Sequence, residues 1–491
     1  MLQSTALSIL KTGENVFLTG APGAGKTYVL NQYIDFLNQY EVEVAVTAYT
    51  GIAASHINGR TLHSWAGLMP GPMHEDAQEI ERVRANEYLT DRIRRARVLI
   101  IDEISMLHPA QFDRVDLICR TARNSHEPFG GLQLICCGDF FQIPPVNGES
   151  EKFVIDSVAW KNAGMRVCYL HEQHRQASAS GDELLEVLNA IRGGTVSPSI
   201  VAMLDARIGV KVASPIGIAR LYTHRENVDE INAAELRKLT TPDVIYEVHT
   251  SGPAALVDKL KKDYDVDKLV LKIGARVMFT KNNMGAGYVN GTLGEVVGFD
   301  DGEDAAEAAP VIMTFDKKRI IANRNQWKIE RGGGGKAGKN IQASVSQLPL
   351  KLAWAITVHK SQGMTLDAAV IDLGRAFDRG MGYVALSRVR ELRNISLIGF
   401  NAVALQVSPR VLALDAGFRA ASARAEADLC GLSEDELRAA QSDFILRITT
   451  GEGGDGSAAG NGVGNKTAGV TTLDDLRIDY TDIDELPAGD F

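Results

Sequence analysis

Residues 15–27 read NVFLTGAPGAGKT, an apolar run that passes directly into a glycine-rich loop and then into the helical sequence YVLNQYIDFLNQY. A strand, a GxxxxGKT loop and a helix in this order are typical of a phosphate-binding loop, because backbone N–H groups and the helix start surround the phosphates. A plain glycine-rich turn is the alternative, and this context disfavours it. The predicted ATP-binding residues are Gly20, Ala21, Pro22, Gly23, Ala24, Gly25, Lys26 and Thr27.

Two further segments supply candidate chemistry. In VLIIDEIS, at 98–105, Asp102 and Glu103 follow an apolar run. Asp102 and the Thr27 hydroxyl are candidate Mg²⁺ ligands, and Glu103 would orient or deprotonate water, although an acidic pair could also cap a helix. In LICCGDFFQIPPV, the amide of Gln142 suits a sensor of the γ-phosphate. The loop and the acidic pair alone indicate only a nucleoside triphosphatase.

The hydrophobic pattern predicts the fold class. Apolar runs without alternation, including AAVIDLG at 368–374, are typical of buried parallel strands. Their separation along 491 residues predicts two α/β domains. Between them, GARVMFTKNNMGAGYVNGTLGEVVGFD has short strands broken by Asn-Gly and glycine-rich turns, which indicates a small antiparallel barrel or hairpin array. The glycine run at 331–340 predicts a mobile loop.

Charge and composition limit the possible partners only weakly. The net charge is −10, but residues 451–491 carry nine acidic and two basic residues, so the rest of the chain is nearly neutral. This balance neither supports nor excludes DNA binding.

No apolar run is long enough to span a membrane, and the first residues lack the pattern of a secretory signal. We therefore expect a cytoplasmic protein of bacterial or phage type without a membrane partner. The five cysteines form no CxxC pair and are expected to be free, mostly buried thiols.

From about Gln3 to Phe400 the chain resembles the PIF-type (petite integration frequency) DNA helicases of superfamily 1B, which are RecD-like. The segments that carry the resemblance are TAYTGIAASHINGRTLHSW, IIDEISML, FGGLQLICCGDFFQIPPV, LHEQHRQ, LPLKLAWAITVHKSQGMTL and GYVALSRVRELRNISL, in the family's order. The resemblance implies two RecA-like P-loop domains with parallel sheets, a small wedge insertion and an SH3-like β-barrel insertion.

The resemblance also implies roles for individual residues. Gln3 would read adenine, and Arg175 and Arg388 would reach the γ-phosphate as arginine fingers. Without the surrounding motifs, either arginine could instead form a surface ion pair. The residues implied to contact DNA are Thr47, Thr50, His63, Ser64, His359, Lys360 and Ser361. Trp65 and Trp354 could stack on bases or fill the core, and we favour the core.

The implied domains follow the motifs along the chain. They are a first RecA-like domain at 1–175 with a short wedge near 66–90, a second domain at 176–270 and 346–410, the barrel at 271–345, a helical segment at 411–450 and a disordered acidic tail at 451–491. The wedge is short and offers only proline and methionine as pin residues, which leaves the unwinding strength open.

The function implied is an ATP-dependent helicase that moves 5′ to 3′ along single-stranded DNA and unwinds forked or tailed duplexes, as a monomer or as a dimer on DNA. A DNA-stimulated translocase within a larger repair complex is an alternative, and a non-catalytic scaffold is disfavoured by the intact nucleotide motifs. The tail pattern of acids and hydrophobes suits solubility, recruitment of a replication or repair protein, or occupation of the DNA groove.

Overall fold

The computed structural model describes residues 1–68, 75–143, 152–171, 182–212, 219–281, 283–288, 290–300, 308–314, 317–330 and 341–450. The first domain contains α1 (Gln3–Lys11), β1 (Val16–Gly20), α2 (Lys26–Asn38), β2 (Val44–Ala48), α3 (Gly51–His56), β3 (Arg60–Thr61), α4 (Leu62–Ala66), α5 (Asp76–Arg84), α6 (Glu87–Arg95), β4 (Val98–Asp102), α7 (Pro109–Arg123), β5 (Gln133–Cys137), α8 (Val158–Asn162) and β6 (Arg166–Leu170).

The strands of the first domain form one parallel sheet in the order β3-β2-β4-β5-β1-β6. Every residue of β1, β4 and β5 is buried, because helices cover both faces of the sheet. The carboxyl ends of these three central strands carry the phosphate-binding loop, the acidic pair and the segment that leads to Gln142. Sheet topology therefore places the predicted nucleotide residues at one edge.

The second part of the chain contains α9 (Asp182–Arg192), α10 (Pro198–Asp205), β7 (Ala219–Tyr222), α11 (Arg225–Lys238), β8 (Val244–Tyr246), β9 (His249–Ser251), α12 (Ala254–Tyr264), β10 (Leu269–Leu271), β11 (Arg276–Phe279), β12 (Leu293–Phe299), β13 (Pro310–Thr314), β14 (Arg319–Ile321), β15 (Asn325–Glu330), β16 (Ile341–Gln347), β17 (Leu350–Leu352), β18 (Ala355–Thr357), β19 (Ala369–Leu373), α13 (Met381–Leu386) and β20 (Ile395–Phe400). Its parallel sheet has the order β18-β7-β19-β20.

An antiparallel sheet interrupts the second domain, as the Asn-Gly turns predicted. Its order is β14-β13-β12-β11-β17, and it encloses a core that includes Phe279, Val296 and Ile312. A second antiparallel sheet, β15-β16-β9, packs beside α12. The specific SH3-like form of this insertion stays a prediction. The glycine run at 331–340 lies outside the described residues.

The chain ends its described part with two helices, α14 (Pro409–Cys430) and α15 (Glu434–Thr450). Ser408 caps α14 through its hydroxyl, and Pro409 occupies the first turn. The helices pack back on the first domain: the Phe418 ring lies 5.2 Å from the ring of Phe17 in β1. The first domain therefore depends on residues more than 400 positions away from its own first strand.

The predicted fold class, α/β with two parallel-sheet domains, is confirmed. In the region predicted to form the wedge, α5 and α6 pack on α7 through Val83, Leu89 and Ile93. The proline and methionine pin candidates at 69–73 lie outside the described residues, as does the tail at 451–491. Among the described helices, none is long and apolar enough to cross a membrane.

Candidate functional site

The phosphate-binding loop has the backbone that its glycines permit. Gly23 and Gly25 take φ values of +86° and +84°, a region that other residues rarely adopt. A Cβ at Gly25 would lie 2.0 Å from the side-chain nitrogen of Gln3, so a larger residue there would displace Gln3 as well as strain the backbone. The Lys26 ammonium donates to the carbonyl oxygens of Gly20 (2.7 Å) and Ala21 (3.2 Å), which holds it over the loop. Thr27 follows in the first turn of α2.

Gln3 lies against this loop from the first turn of α1. Its Nε2 donates to the carbonyl oxygen of Ala24 at 3.0 Å. The side chain is therefore positioned at the nucleotide loop by a direct hydrogen bond, across 21 residues of sequence. Its role in reading adenine stays a prediction.

The acidic pair leaves β4 in a sharp turn. Asp102 is the last strand residue and is buried, and Glu103 takes a left-handed φ of +53° while its N–H donates to Asp102 Oδ1 at 2.9 Å. Burial and the Asp102 charge raise the pKa of Glu103 to about 7, although Arg388 and Lys26 oppose this shift. A carboxyl group with a pKa near neutrality is suited to accept a proton from water.

This pKa predicts how hydrolysis depends on pH. The free carboxylate of Glu103 predominates only above a pH of about 7, so we expect kcat/KM for ATP to rise with pH up to that point and to level off above it. Steady-state hydrolysis rates measured across this pH range test the prediction. The terminal phosphate of ATP also titrates in this region, so the residual activity of Glu103→Gln serves as the control. An unchanged inflection in that variant would assign the titration to another group.

Gln362, from the second domain, reaches into the first-domain site. Its Nε2 donates to Gln142 Oε1 at 3.1 Å and lies 3.5 Å from Glu103 Oε2. Both glutamines are buried. Sequence reasoning missed Gln362 although it directly follows Ser361 in a motif that carried the resemblance. The amide bridges the two domains at Gln142, predicted to sense the γ-phosphate, and Glu103, predicted to orient or deprotonate the attacking water.

Arg388 lies two residues after the end of α13, with its side chain buried. Nε donates to the Val384 carbonyl oxygen and Nη2 to Ser387 Oγ, both at 2.8 Å. Its charge is close enough to oppose the rise in the pKa of Glu103. The structure thus brings Arg388 into electrostatic contact with the site. The other predicted finger, Arg175, lies outside the described residues.

A buried polar network that sequence reasoning missed joins both domains behind the site. Arg192, at the end of α9, donates from Nη1 to both carboxylate oxygens of Asp139 at 2.8 Å, and it also donates to the hydroxyls of Tyr383 and Tyr169. Asp139 lies three residues before Gln142, and Tyr383 belongs to the helix before Arg388. A buried charge is costly unless it is paired, and the Asp139 carboxylate pairs the Arg192 guanidinium here, while Arg192 Nε makes no hydrogen bond to the described residues.

The first-domain residues that were predicted to contact DNA divide into three that are not fully buried and one, Thr47, that is. Thr50 accepts a hydrogen bond from the N–H of Ala53 at the start of α3, Ser64 is exposed on α4, and the His63 ring lies 5.6 Å from that of Tyr49. Burial lowers the pKa of His63, which favours its neutral form. Thr47, in contrast, is fully buried, and its hydroxyl donates to the Ile100 carbonyl oxygen at 2.6 Å. In the present conformation the Thr47 hydroxyl therefore cannot contact a DNA strand.

The second-domain residues that were predicted to contact DNA also differ in burial. His359, Lys360 and Ser361 form a 3₁₀ turn after β18. Lys360 is exposed and His359 half-buried, but Ser361 is fully buried and its hydroxyl donates to the Val358 carbonyl oxygen at 2.7 Å.

The core interpretation of the two tryptophans agrees with their surroundings. Trp65 is buried in the main core. Trp354 packs partly buried against the core of the antiparallel sheet.

Comparison with known proteins agrees with this geometry. The PIF1-like helicase family model matches residues 3–199. The ATP-dependent DNA helicase Pif1 of a Psychrobacter species is 41% identical over 502 residues, which cover 91% of this chain and 75% of that protein. The human ATP-dependent DNA helicase PIF1 is 36% identical over 417 residues, which cover 84% of this chain and 62% of the human protein. The chain thus spans less than two-thirds of the length of the human relative.

Solved structures give the same result for the fold. The crystal structure of the Pif1 helicase from Candida albicans has a TM-score of 0.76 at 32% identity and covers 84% of this chain and 98% of that one. The Bacteroides Pif1 helicase in complex with ADP-AlF3 and single-stranded DNA has a TM-score of 0.70 at 30% identity and covers 86% of this chain and 97% of that one. With matching sequence and fold, the chain belongs to the PIF1-like helicase family.

Proposed function

We propose that the protein is an ATP-dependent DNA helicase that moves along single-stranded DNA and separates the duplex ahead of it. Family membership supports the activity, since the related proteins are named ATP-dependent DNA helicases. A 5′-to-3′ polarity is proposed from the family resemblance.

The observation that carries the proposal is the contact between the domains at the nucleotide site. Gln362 of the second domain bonds to Gln142 of the first and approaches Glu103, while Arg388 acts electrostatically on the same carboxyl group. A change at the γ-phosphate therefore alters bonds that cross the cleft. Such a cleft can open and close once per ATP, which is the motion that a motor needs.

Each residue of the site has a proposed task in hydrolysis. Lys26 and the loop amides bind the β and γ phosphates, and Glu103 orients the attacking water and accepts its proton. Arg388 stabilises the charge on the transferred group when the cleft closes. The hydroxyl of Thr27 and the carboxylate of Asp102, which ends β4 at the same sheet edge, are oxygen donors of the type that Mg²⁺ prefers. Bound Mg²⁺ would neutralise phosphate charge there.

The proposed DNA partners are single strands and forked or tailed duplexes. The strand would pass over Thr50, His63 and Ser64 of the first domain and over His359 and Lys360 of the second. A Pif1 structure is described as unwinding at forked duplex DNA by two coordinating helicases, so a monomer that pairs with a second copy at a fork is the assembly that we propose. A replication or repair partner for the acidic tail, and a cytoplasmic location, also stay predictions.

Stimulation of hydrolysis by DNA tests the proposal. A strand that spans both domains favours the closed cleft, so single-stranded DNA is expected to raise the ATPase rate severalfold or more. The logarithm of the affinity for single-stranded DNA should fall linearly with the logarithm of the salt concentration, with a slope of about −0.7 per phosphate contacted. Rates with oligothymidylate, with heparin and without polyanion provide the measurement. Equal stimulation by heparin and DNA would contradict a specific strand site.

A further inference from the structure

Three adjacent strands of the second-domain sheet end in a cluster of aromatic rings. Register pairs Thr357 of β18 and Asp372 of β19 with Tyr222 of β7, so the carboxyl ends of these strands lie side by side. His359 follows β18, His224 follows β7, and Phe377 follows β19. The crevice beyond the carboxyl ends of parallel strands is the usual ligand position in open α/β sheets.

The rings of Phe377, His224 and His359 form an aromatic platform that is partly exposed to solvent. Phe377 is 55% exposed, which is unusual for a phenylalanine held among other rings. Its centroid lies 5.0 Å from the His224 ring and 6.2 Å from the His359 ring, and the latter pair is nearly parallel, at 23°. The two imidazoles therefore hold the phenyl ring in place while part of its surface stays open to solvent.

A basic cluster lies beside the platform. Arg225, Lys351 and Lys360 all contact one carboxylate, Asp265, with Lys360 Nζ at 3.1 Å. Asp229, which lies 3.5 Å from Arg225, is the second acid of the cluster. Three cations thus face two carboxylates.

The cations of the cluster are crowded. Burial, Lys360 and Arg225 together lower the pKa of Lys351 to about 7. An anion added here would reduce the repulsion among these side chains. Asp378 lies close enough to His359 to raise the pKa of its ring, against the lowering by burial.

The platform and the cluster are joined through consecutive residues. His224 precedes Arg225, and His359 precedes Lys360, so each pair presents a ring and a cation at successive positions. Single-stranded nucleic acid offers the complementary alternation of base and phosphate. Binding sites for single strands combine aromatic stacking with a positively charged groove in this way.

We infer that Phe377, His224 and His359 bind one nucleobase of a single strand by stacking, and that Arg225, Lys351 and Lys360 bind its neighbouring phosphate in place of contacts to Asp265. This subsite rests on the proposed function, because the ligand is the strand that the motor follows. The subsite adds base stacking to a DNA-binding surface whose other proposed contacts are to phosphates. It accepts any nucleotide sequence, since every base has an aromatic face.

The test is equilibrium binding of a fluorescent oligothymidylate to the full chain without nucleotide. Phe377→Ala should bind about 5-fold to about 100-fold more weakly, which corresponds to the usual contribution of one stacked base. Phe377→Tyr should restore binding, because tyrosine keeps the ring. Tyr40→Ala, which removes a 46% exposed aromatic residue from the first domain, is the matched control and should bind normally. Melting curves confirm that the variants are folded.

An oligonucleotide with abasic positions separates stacking from general damage. The wild-type protein should lose affinity for this strand by a similar factor, and Phe377→Ala should lose little more, because the ring and the base form one contact. Lys351→Gln should make the slope of log affinity against log salt concentration less steep by about 0.7, because one phosphate contact is lost. Equal affinity of the wild type for normal and abasic strands would overturn the subsite. If the wild type bound neither strand, the proposed function itself would fail.

Discussion

Replacement of Lys26 by alanine is expected to abolish ATP hydrolysis and unwinding, while most of the affinity for single-stranded DNA is retained. Lys26 Nζ is held over the phosphate loop by the carbonyl oxygens of Gly20 and Ala21. No other lysine or arginine of the loop can replace its charge at the β and γ phosphates. The described DNA candidates lie on other segments, so strand binding should be nearly independent of this change.

The loss in Lys26→Ala has a second cause. The Lys26 charge opposes the rise in the pKa of Glu103, so its removal favours the protonated, inactive form of this base. ATPase rates, nucleotide affinity and oligonucleotide affinity should be measured together. Lys161→Ala, on the exposed side of α8, is the control and should behave as the wild type. Hydrolysis at the wild-type rate in Lys26→Ala would contradict the assignment of the loop.

Replacement of Arg388 by alanine should lower the turnover number about 10³-fold, as is typical of an arginine that stabilises the transferring phosphoryl group. The KM for ATP should change much less, because the transition state carries the additional charge. In the present conformation the guanidinium bonds to Val384, Met364 and Ser387 of its own domain. Its contact with the phosphoryl group must therefore form when ATP closes the cleft.

A structural role for Arg388 predicts a different result. The side chain is only 3% exposed and bonds to backbone oxygens, so alanine could simply destabilise the second domain. Then Arg388→Lys and Arg388→Ala would both lower the melting temperature and the nucleotide affinity, while bound ATP would turn over normally. Single-turnover rates at saturating ATP, combined with melting curves, distinguish the two roles.

The parts of the molecule that local sequence determines were predictable. The uninterrupted apolar runs at β1, β4 and β5 correspond to strands buried on both faces, and the run at β19 to a strand that alternates between buried and half-buried residues. The phosphate loop followed from its glycines and from the strand and helix that flank it. These features depend on residues within a few turns of one another, where periodicity and turn chemistry are informative.

The remaining features depend on contacts between distant segments. Arg192 pairs with Asp139 across 53 positions, and Gln362 bonds to Gln142 across 220. No pattern near Arg192 distinguishes it from a surface arginine at a helix end. Thr47 and Ser361 were predicted to contact DNA from motif position alone, but whether a hydroxyl points outward depends on its strand or turn, and both point inward. Packing of α14 on the first domain had no sequence signal either.

Unwinding of tailed duplexes is the most direct test of the central claim. With ATP and Mg²⁺, the protein should separate a duplex that carries a 5′ single-stranded tail, and it should leave the same duplex with a 3′ tail intact. A non-hydrolysable ATP analogue and Lys26→Ala should both give no product. If a preparation with DNA-stimulated ATPase activity separated neither duplex, the protein would not be the helicase proposed from its nucleotide cleft.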